Sequence, residues 1–266
     1  MPNQTAALLS IVDADKATLD AARPLPPNTV ASLREKLMLE WTYHSNAIEG
    51  NTLTLRETKV VLEGITVGGK SLREHFEATN HRDAILYVED VVSKAEALSE
   101  WQIRDIHALV LKNINADEAG RYRHENVVIA GASTTPPDFL HLPAEMAGLI
   151  DWYDRTAPMH PVERAAELHT RFVKIHPFVD GNGRTGRLLL NFELMKAGYP
   201  PAIIRKEDRL AYYDALDKAC VSGDHADITR LVAEATQRSL EIYLDVLGLR
   251  HAPGPDTAPS SPGFRT

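Results

Sequence analysis

The sequence is poor in cysteine and in long apolar runs, and it has no positive charge near its start. Cys220 is the single cysteine, which excludes an internal disulfide and a zinc site built from cysteines and favours a reducing compartment such as the cytoplasm. No stretch reaches the roughly 20 apolar residues that span a bilayer. A secretory signal begins with positive charge, but here no Lys or Arg precedes the short apolar run near the N-terminus. We therefore expect a soluble, cytoplasmic protein with no membrane partner.

A deficit of positive charge also limits the choice of partner. The formal net charge is -8, so the chain as a whole repels the phosphate backbone of nucleic acids, and we expect no nucleic-acid partner. A local basic pocket remains compatible with this charge. The 266 residues, of which 44% are hydrophobic, are enough to bury a sizeable core.

The chain shows no alternation of strands with helices, and its apolar residues recur at helical spacing nearly throughout. Three segments have a hydroxyl residue followed three positions later by Glu or Gln, the capping box that begins many helices. The pattern predicts an all-α fold, with one helix that ends at His176 and an apolar helix over about residues 185–197. The capping boxes are Thr54 to Glu57, Ser71 to Glu74 and Ser99 to Gln102.

The two ends of the chain differ from its middle. We treat residues 1–25 as a variable N-terminal segment and residues 26–250 as the main domain. Residues 251–266 are rich in Pro, Ser and Gly and have almost nothing apolar to bury. They are predicted to be a disordered tail.

One segment departs from the helical pattern. Four consecutive residues favour strands, and they run into Gly131 and then into Pro136 and Pro137, which favour turns. We expect a small β-hairpin in this segment. Its first strand is predicted to contain Val127, Val128, Ile129 and Ala130.

A glycine-rich segment between two predicted helices suggests an anion site. Gly181, Asn182 and Gly183 remove side-chain bulk at a helix N-terminus, where unpaired N–H groups and the positive end of the dipole can hold a phosphate. Arg184 and Arg187 lie three positions apart, so they project from one face of the first turn. Two cations at this end cost roughly 0.3–1 kcal/mol each, a penalty that a bound anion reverses.

Two further side chains in this segment supply chemistry. Asp180 is a hard oxygen ligand of the kind that Mg²⁺ uses beside phosphates. His176 can accept a proton from an attacking hydroxyl near neutral pH, and we interpret it as a general base. The segment lacks the Lys-Ser or Lys-Thr ending of a P-loop, and the sequence has no His-Glu-x-x-His pair that would indicate a zinc hydrolase.

The segment from His176 to Arg187 resembles the Fic family signature His-Pro-Phe-x-Asp/Glu-Gly-Asn-Gly-Arg-x-x-Arg at every specified position. Upstream, the segment from Ser45 to Gly50 is similar to the inhibitory motif Ser/Thr-x-x-x-Glu-Gly/Asn of family members whose inhibitory helix precedes the domain core. The likeness covers about residues 40–247. It implies a helical Fic domain over residues 26–250, with an inhibitory helix near residues 40–50 and one small hairpin flap.

The resemblance implies a protein adenylyltransferase that moves AMP from ATP to a Ser, Thr or Tyr hydroxyl of a target protein. His176 would be the base, Asp180 would hold Mg²⁺ and Phe178 would anchor the loop. The hairpin from Val127 would clamp the target by main-chain pairing. The nucleotide-binding residues would be Gly181, Asn182, Gly183, Arg184, Arg187, Tyr212 and Tyr213.

The resemblance also implies auto-inhibition. In the resting protein Glu49, with Ser45, would hold Arg187 and so deny it to the γ-phosphate, leaving ATP in an unreactive pose. Related proteins often form dimers that tune this inhibition, so a homodimer is a further expectation. An Asn that is common in the family's adenine pocket is displaced or replaced near Cys220, which leaves the preference for adenine open.

Several alternatives stay open on the sequence. Glu49 would be catalytic if the protein removed AMP from a modified target by orienting a water. Donors such as UTP or a phosphocholine carrier are compatible with the chemistry, and so is a nucleotide-sensing module whose inhibition never releases. Without the resemblance, Ser45 and Glu49 fit an ordinary helix end closed by Gly50, and Tyr212 and Tyr213 fit core or surface aromatics.

Overall fold

The computed structural model describes residues 2–250, with side chains from residue 4 onwards, and this range contains ten α-helices and two 3₁₀ turns. The tail predicted at residues 251–266 lies outside the described residues. The helices are α1 (Pro2–Ala21), α2 (Pro27–Ile48), α3 (Leu55–Leu62), α4 (Leu72–Ser93), α5 (Glu100–Leu111), α6 (Leu142–Arg155), α7 (Pro161–Ile175), α8 (Asn182–Lys196), α9 (Arg209–Ser222) and α10 (Ala226–Val246), and the 3₁₀ turns are Phe139–His141 and Lys206–Asp208.

The helix starts follow the capping signals in the sequence. Thr54 and Ser71 each form a complete capping box, so the predicted starts of α3 and α4 are confirmed. Ser99 caps α5 differently, because its hydroxyl accepts the N–H of Trp101 and donates to Oε1 of Gln102, so the two residues are in contact without forming the reciprocal capping box. The apolar helix predicted from residue 185 begins three residues earlier, at Asn182, since the glycine-rich segment itself enters the helix.

The hairpin expected from Val127 to Pro137 was wrong: no strand occurs among residues 2–250, and this segment is an irregular loop. Its main-chain groups bond to side chains of neighbouring elements instead of to a partner strand. Arg123 donates to the carbonyl of Pro137, and Asp217 on α9 accepts the N–H of Ser133 at 2.7 Å. Only one internal turn remains, from Ala132 N to Ile129 O. The residues without the predicted strand conformation are Val127, Val128, Ile129 and Ala130.

The core has two large apolar clusters that meet at α7 and α8. One cluster joins these helices to α1, α9 and α10, and the other joins them to α2, α4, α5 and α6. Helix α8 is buried along nearly its whole length because both clusters pack against it. Leu9, Val12 and Leu19 of α1 belong to the first cluster, so the N-terminal helix is part of the packed domain. None of the described helices has the length and apolar character needed to cross a membrane.

Three buried histidines lie close to the centre of this packing. His107 accepts the N–H of Gly120 through Nδ1 at 2.9 Å, so its Nε2 carries the proton and donates to the carbonyl of Asp180 at 2.9 Å. Burial lowers the pKa of His107 to about 4 and that of His169 to about 3. Burial also lowers the pKa of His81, with Arg187 contributing. The fold therefore holds three neutral imidazoles.

These histidines predict that stability falls in mild acid. The folded-state pKa of His107, about 4, lies below its ordinary value of 6.5, so the unfolded chain takes up the proton first as the pH falls. The stability is fully present above about pH 6.5 and is lost as the pH falls towards 4, at up to about 1 kcal/mol per pH unit for such a histidine. Urea unfolding at pH 7 and pH 5 should show a clear drop in the free energy of unfolding.

The matched pair for this prediction is His107→Gln and His141→Gln, since His141 is exposed. His107→Gln should make the dependence on pH shallower by about one proton, whereas His141→Gln should leave it unchanged. Equal stability at pH 7 and pH 5 would contradict the prediction.

Candidate active site

The site begins at His176, the residue that follows the last residue of α7. This residue has φ 49° and ψ 59°, a left-handed conformation that is uncommon outside glycine and that turns the chain sharply after the helix. Arg123, whose side chain is buried, stabilises this turn by donating from Nε to the His176 carbonyl at 2.9 Å. The N–H of Arg123 donates to the carbonyl of Pro177 at 2.9 Å. The position of His176 is thus fixed by a side chain about 50 residues earlier in the chain.

The loop after His176 is closed by its own residues. Phe178 is fully buried and stacks on His107, with ring centroids 3.5 Å apart, which agrees with the anchoring role expected for it. The side chain of Asn182 is used inside the loop: it accepts the N–H of Phe178 at 3.0 Å and donates to its carbonyl at 2.8 Å. Asn182 therefore offers only its backbone N–H to a ligand. Gly181, at φ 79°, is the N-cap of α8.

The N-terminus of α8 has the features of an anion site. Among the described residues no side chain caps this helix, so its first N–H groups remain available. Arg184 is 2% exposed, and between residues 2 and 250 its Nε and Nη1 atoms make no hydrogen bond, although Nη1 lies 3.5 Å from the Glu77 carboxylate. Unused buried donors are costly, and an anion would satisfy them. A Cβ on Gly183 would overlap the Glu49 carboxylate, which lies against this end of the helix.

Arg187 is buried and fully engaged with the end of α2. Its Nη2 donates to Glu49 Oε1 at 2.7 Å and to the Ser45 carbonyl at 2.8 Å, and its Nε donates to Ser45 Oγ at 3.0 Å. Tyr212 completes the shell, with its hydroxyl 3.4 Å from Nη1. Burial alone would lower the pKa of Arg187, but the Glu49 carboxylate and Tyr212 outweigh burial and raise it. The guanidinium is a permanent cation.

His176, Glu49 and Arg187 line a common cavity of about 380 Å³ between α8, α9 and the 127–137 loop. Burial lowers the pKa of His176, and Arg123 adds to this effect, while the carbonyl of Val173 opposes it. The imidazole is therefore neutral at pH 7 and able to accept a proton.

Of the remaining residues predicted from the sequence, some line the cavity and others do not. Tyr212 and Tyr213 both line the cavity, but Tyr212 is buried with its hydroxyl on Arg187 and on His169, whereas Tyr213 is 37% exposed. Ile129 and Ala130 of the loop also line the cavity. Val127 and Val128 are not among its walls, and Val128 is 85% exposed.

Asp180 fits a magnesium site in which the protein supplies a single carboxylate. Its Oδ1 accepts the N–H of Gly181 at 2.6 Å, and its Oδ2 accepts Nη2 of Arg73 at 2.6 Å. Burial raises its pKa, but Arg184, the Gly181 amide and Arg73 together lower it below its ordinary value, so the group is ionised. No group of three His, Cys, Asp or Glu side chains able to hold a metal occurs among the described residues. A single carboxylate suits Mg²⁺ that takes its other ligands from phosphates and water.

Several residues near the site were not predicted from the sequence. Arg73 and Glu77 on α4 contact Asp180 and Arg184, from more than 100 residues away in the chain. Lys174, Arg209 and Asp217 line the cavity beside the predicted residues. Of these, Lys174 was the one within reach of sequence reasoning, because it lies two positions before His176.

Comparisons with known proteins agree with this arrangement. A sequence model described as the Fic/DOC family matches residues 97–194. The chain is 44% identical over 206 residues to a protein adenylyltransferase Fic of Nematostella vectensis, covering 76% of this chain and 48% of the relative. It is 36% identical to the protein of the same name from Drosophila willistoni, covering 89% of this chain and 47% of the relative. The chain thus spans about half the length of the curated relatives it matches.

Solved structures extend the similarity to the fold. A part of Fic-1 from C. elegans superposes with a TM-score of 0.83 at 32% identity, covering 93% of this chain and 74% of that one. A Fic domain-containing signaling protein from Bacteroides thetaiotaomicron superposes with a TM-score of 0.81 at 31% identity, covering 92% of this chain and 99% of that one. With nearly the whole of that protein matched in both sequence and fold, the chain belongs to the Fic/DOC family.

Proposed function

We propose that this protein is an adenylyltransferase that moves AMP from ATP to a hydroxyl of a target protein, and that Glu49 holds it in an inhibited state. The observation that carries the proposal is that a neutral imidazole, a helix N-terminus and a buried arginine face one cavity, in which a carboxylate lies on that arginine. The names of the relatives, protein adenylyltransferase Fic, support the same chemistry.

In the proposed reaction the target hydroxyl gives its proton to His176 and its oxygen attacks the α-phosphorus of ATP, from which pyrophosphate departs. Gly181, Asn182 and Gly183 would hold the phosphates through backbone N–H groups, and the spare donors of Arg184 would bind their oxygens. Most of the rate acceleration would come from positioning and from charge already in place.

Asp180 is the residue that would hold Mg²⁺. The bound cation would offset part of the negative charge of the phosphates. What this chain supplies is an ionised carboxylate beside the α8 N-terminus, with Arg184 on one side of it. The carboxylate is 44% exposed, so phosphate and water ligands can reach it.

The inhibited state follows from where Glu49 lies. Its carboxylate takes a guanidinium that the γ-phosphate would otherwise use, and it puts negative charge against Gly183, where phosphate belongs. Ser45 keeps Arg187 in place from the same helix, so the residues would act together.

The nucleotide base and the target segment would contact different residues of the cavity wall. Tyr213 and Arg209 form an exposed cation–π pair 5.4 Å apart at the rim, suited to stacking on a base. Cys220 also lines the cavity, and a buried thiol is a weak hydrogen-bond partner, so it does not by itself select ATP over UTP or another donor. Ile129 and Ala130 would contact the target segment, and a homodimer is proposed only by analogy with the family.

The first prediction of this proposal concerns Glu49→Gly. Release of Arg187 should raise transfer of labelled AMP from ATP to proteins of a lysate, or to the chain itself, by roughly 10- to 100-fold, the equivalent of a charge-assisted hydrogen bond. Adding His176→Ala should lower that transfer by about 10²- to 10⁴-fold, because the base is lost. Mass spectrometry of the labelled proteins identifies the donor group and the acceptor residue.

The matched control is Glu63→Gly. Glu63 ends α3 with φ −80° and ψ 0°, almost the conformation in which Glu49 ends α2, φ −83° and ψ 1°, but it lies outside the cavity. Glu63→Gly should leave transfer at the level of the unchanged chain. Labelling by Glu49→Gly that persists without His176, or no labelling at all, would count against the proposal.

A second candidate function is removal of AMP from a modified protein. The observation in its favour is that the Glu49 side chain remains 34% exposed in the cavity while it holds Arg187, so a carboxylate is present there that could orient a water. The chain would then be active in the state described, and Glu49 would be catalytic.

This candidate makes the opposite prediction for the same substitution. The unchanged chain should release AMP from a purified AMP-modified target, and Glu49→Gly should slow this release by about 10²-fold or more, as expected for loss of a general base. Chromatographic measurement of free AMP tests it, with Glu63→Gly expected to match the unchanged chain. If the unchanged chain released no AMP, this second function would be rejected in favour of AMP transfer.

A further inference from the structure

The carboxylate proposed to hold Mg²⁺ already has a cationic partner from another helix. Arg73, at the start of α4, donates from Nη2 to Oδ2 of Asp180 at 2.6 Å. The other oxygen, Oδ1, accepts the N–H of Gly181 and lies 3.4 Å from Nη2 of Arg184. Both oxygens of Asp180 are thus engaged, and Oδ2 is engaged by Arg73 alone among the described residues.

Arg73 is held in this position by a second carboxylate. Its Nε donates to Oε1 of Glu77, one turn further along α4, at 3.1 Å. Glu77 itself is fixed, because its Oε2 accepts the side-chain N–H of Asn51 at 2.9 Å and its Oε1 lies 3.5 Å from Arg184. The guanidinium therefore spans two carboxylates and points at the mouth of the anion site.

The two arginines on Asp180 differ in how easily they can move. The side chain of Arg184 is 3% exposed and belongs to the buried helix α8, whereas the side chain of Arg73 is 57% exposed. An exposed ion pair contributes little free energy and exchanges readily with water and ions. Arg73 is the contact that can yield when a cation approaches Asp180.

We propose that Arg73 is a positioning residue for Asp180, which holds the carboxylate in the absence of metal and gives up Oδ2 when Mg²⁺ enters with the nucleotide. The inference rests on the proposed function, since it concerns the same nucleotide site. A fixed positive charge beside Asp180 opposes a divalent cation and competes for the same oxygen, so Arg73 sets how strongly ATP binding depends on Mg²⁺.

The test is calorimetric titration of the full chain with ATP, once in EDTA and once in saturating Mg²⁺. The quantity compared is the ratio of the Kd without Mg²⁺ to the Kd with Mg²⁺. Arg73→Ala and Arg73→Gln should each raise this ratio by about two- to fivefold, the range of an exposed ion pair. The measurement is of binding, so it does not depend on turnover.

Two controls separate Arg73 from a general change of charge. Arg34→Ala removes an arginine of similar exposure, 52%, which pairs with Glu89 on α4 away from the site, and it should leave the ratio unchanged. Asp180→Asn should bring the ratio towards one, and adding Arg73→Ala to it should then have no further effect, because the two residues act through one contact.

The ATP titrations distinguish failure of the inference from failure of the proposed function. A ratio that does not move in either Arg73 variant overturns the inference, as does equal weakening of ATP binding with and without Mg²⁺, which would make Arg73 a phosphate contact. Either result leaves the proposed function standing, since ATP still binds. Failure of ATP to bind the unchanged chain and every variant would overturn the proposed function and the inference with it.

Discussion

The structure is organised around a buried positive charge that cannot be left without partners. Arg187 lies inside α8, between two apolar clusters, and taking an unpaired guanidinium out of water would cost several kcal/mol. Glu49, Ser45 and Tyr212 together satisfy it. The contacts of Arg187 with Glu49 and Ser45 join the end of α2 to α8. An anion that replaced Glu49 would have to meet the same need, which is why the proposed inhibitor and the proposed substrate share one contact.

A second constraint is the sharp turn between α7 and α8. The chain leaves α7 in a left-handed conformation at His176 and enters α8 through Gly181, so an imidazole and the positive end of a helix come to one side of the loop. Phe178 and Asn182 fill the loop from inside, and Arg123 binds its carbonyl from outside. The loop is therefore held by contacts within the protein and needs no ligand to form them, which favours catalysis by positioning.

The arginines around the site form an inner layer of buried side chains and an outer layer of exposed ones. Arg187 and Arg184 belong to the packed helix, whereas Arg73 reaches Asp180 from the surface of α4 and Arg209 stands at the rim beside Tyr213. Membership in the Fic/DOC family accounts for the first layer, which carries the signature. Arg73 and Arg209 lie outside the signature, so the 176–187 segment does not account for them.

The sequence by itself determined the helical class, two complete capping boxes and the composition of the 176–187 loop, because caps, helical periodicity and a contiguous signature are local properties. It also indicated the pairing of Glu49 with Arg187, but only through a resemblance between distant segments. The hairpin prediction was wrong because β-favouring residues express only a local preference for strand. In the structure Arg123 binds the carbonyl of Pro137 and Asp217 accepts the N–H of Ser133, so these main-chain groups do not pair with a strand. The contact of Arg73 with Asp180 and the burial of His107 against Phe178 join residues 70 or more positions apart. Only the packing of α4 and α5 on α8 brings them together, since no local pattern encodes which distant side chain will meet a buried charge.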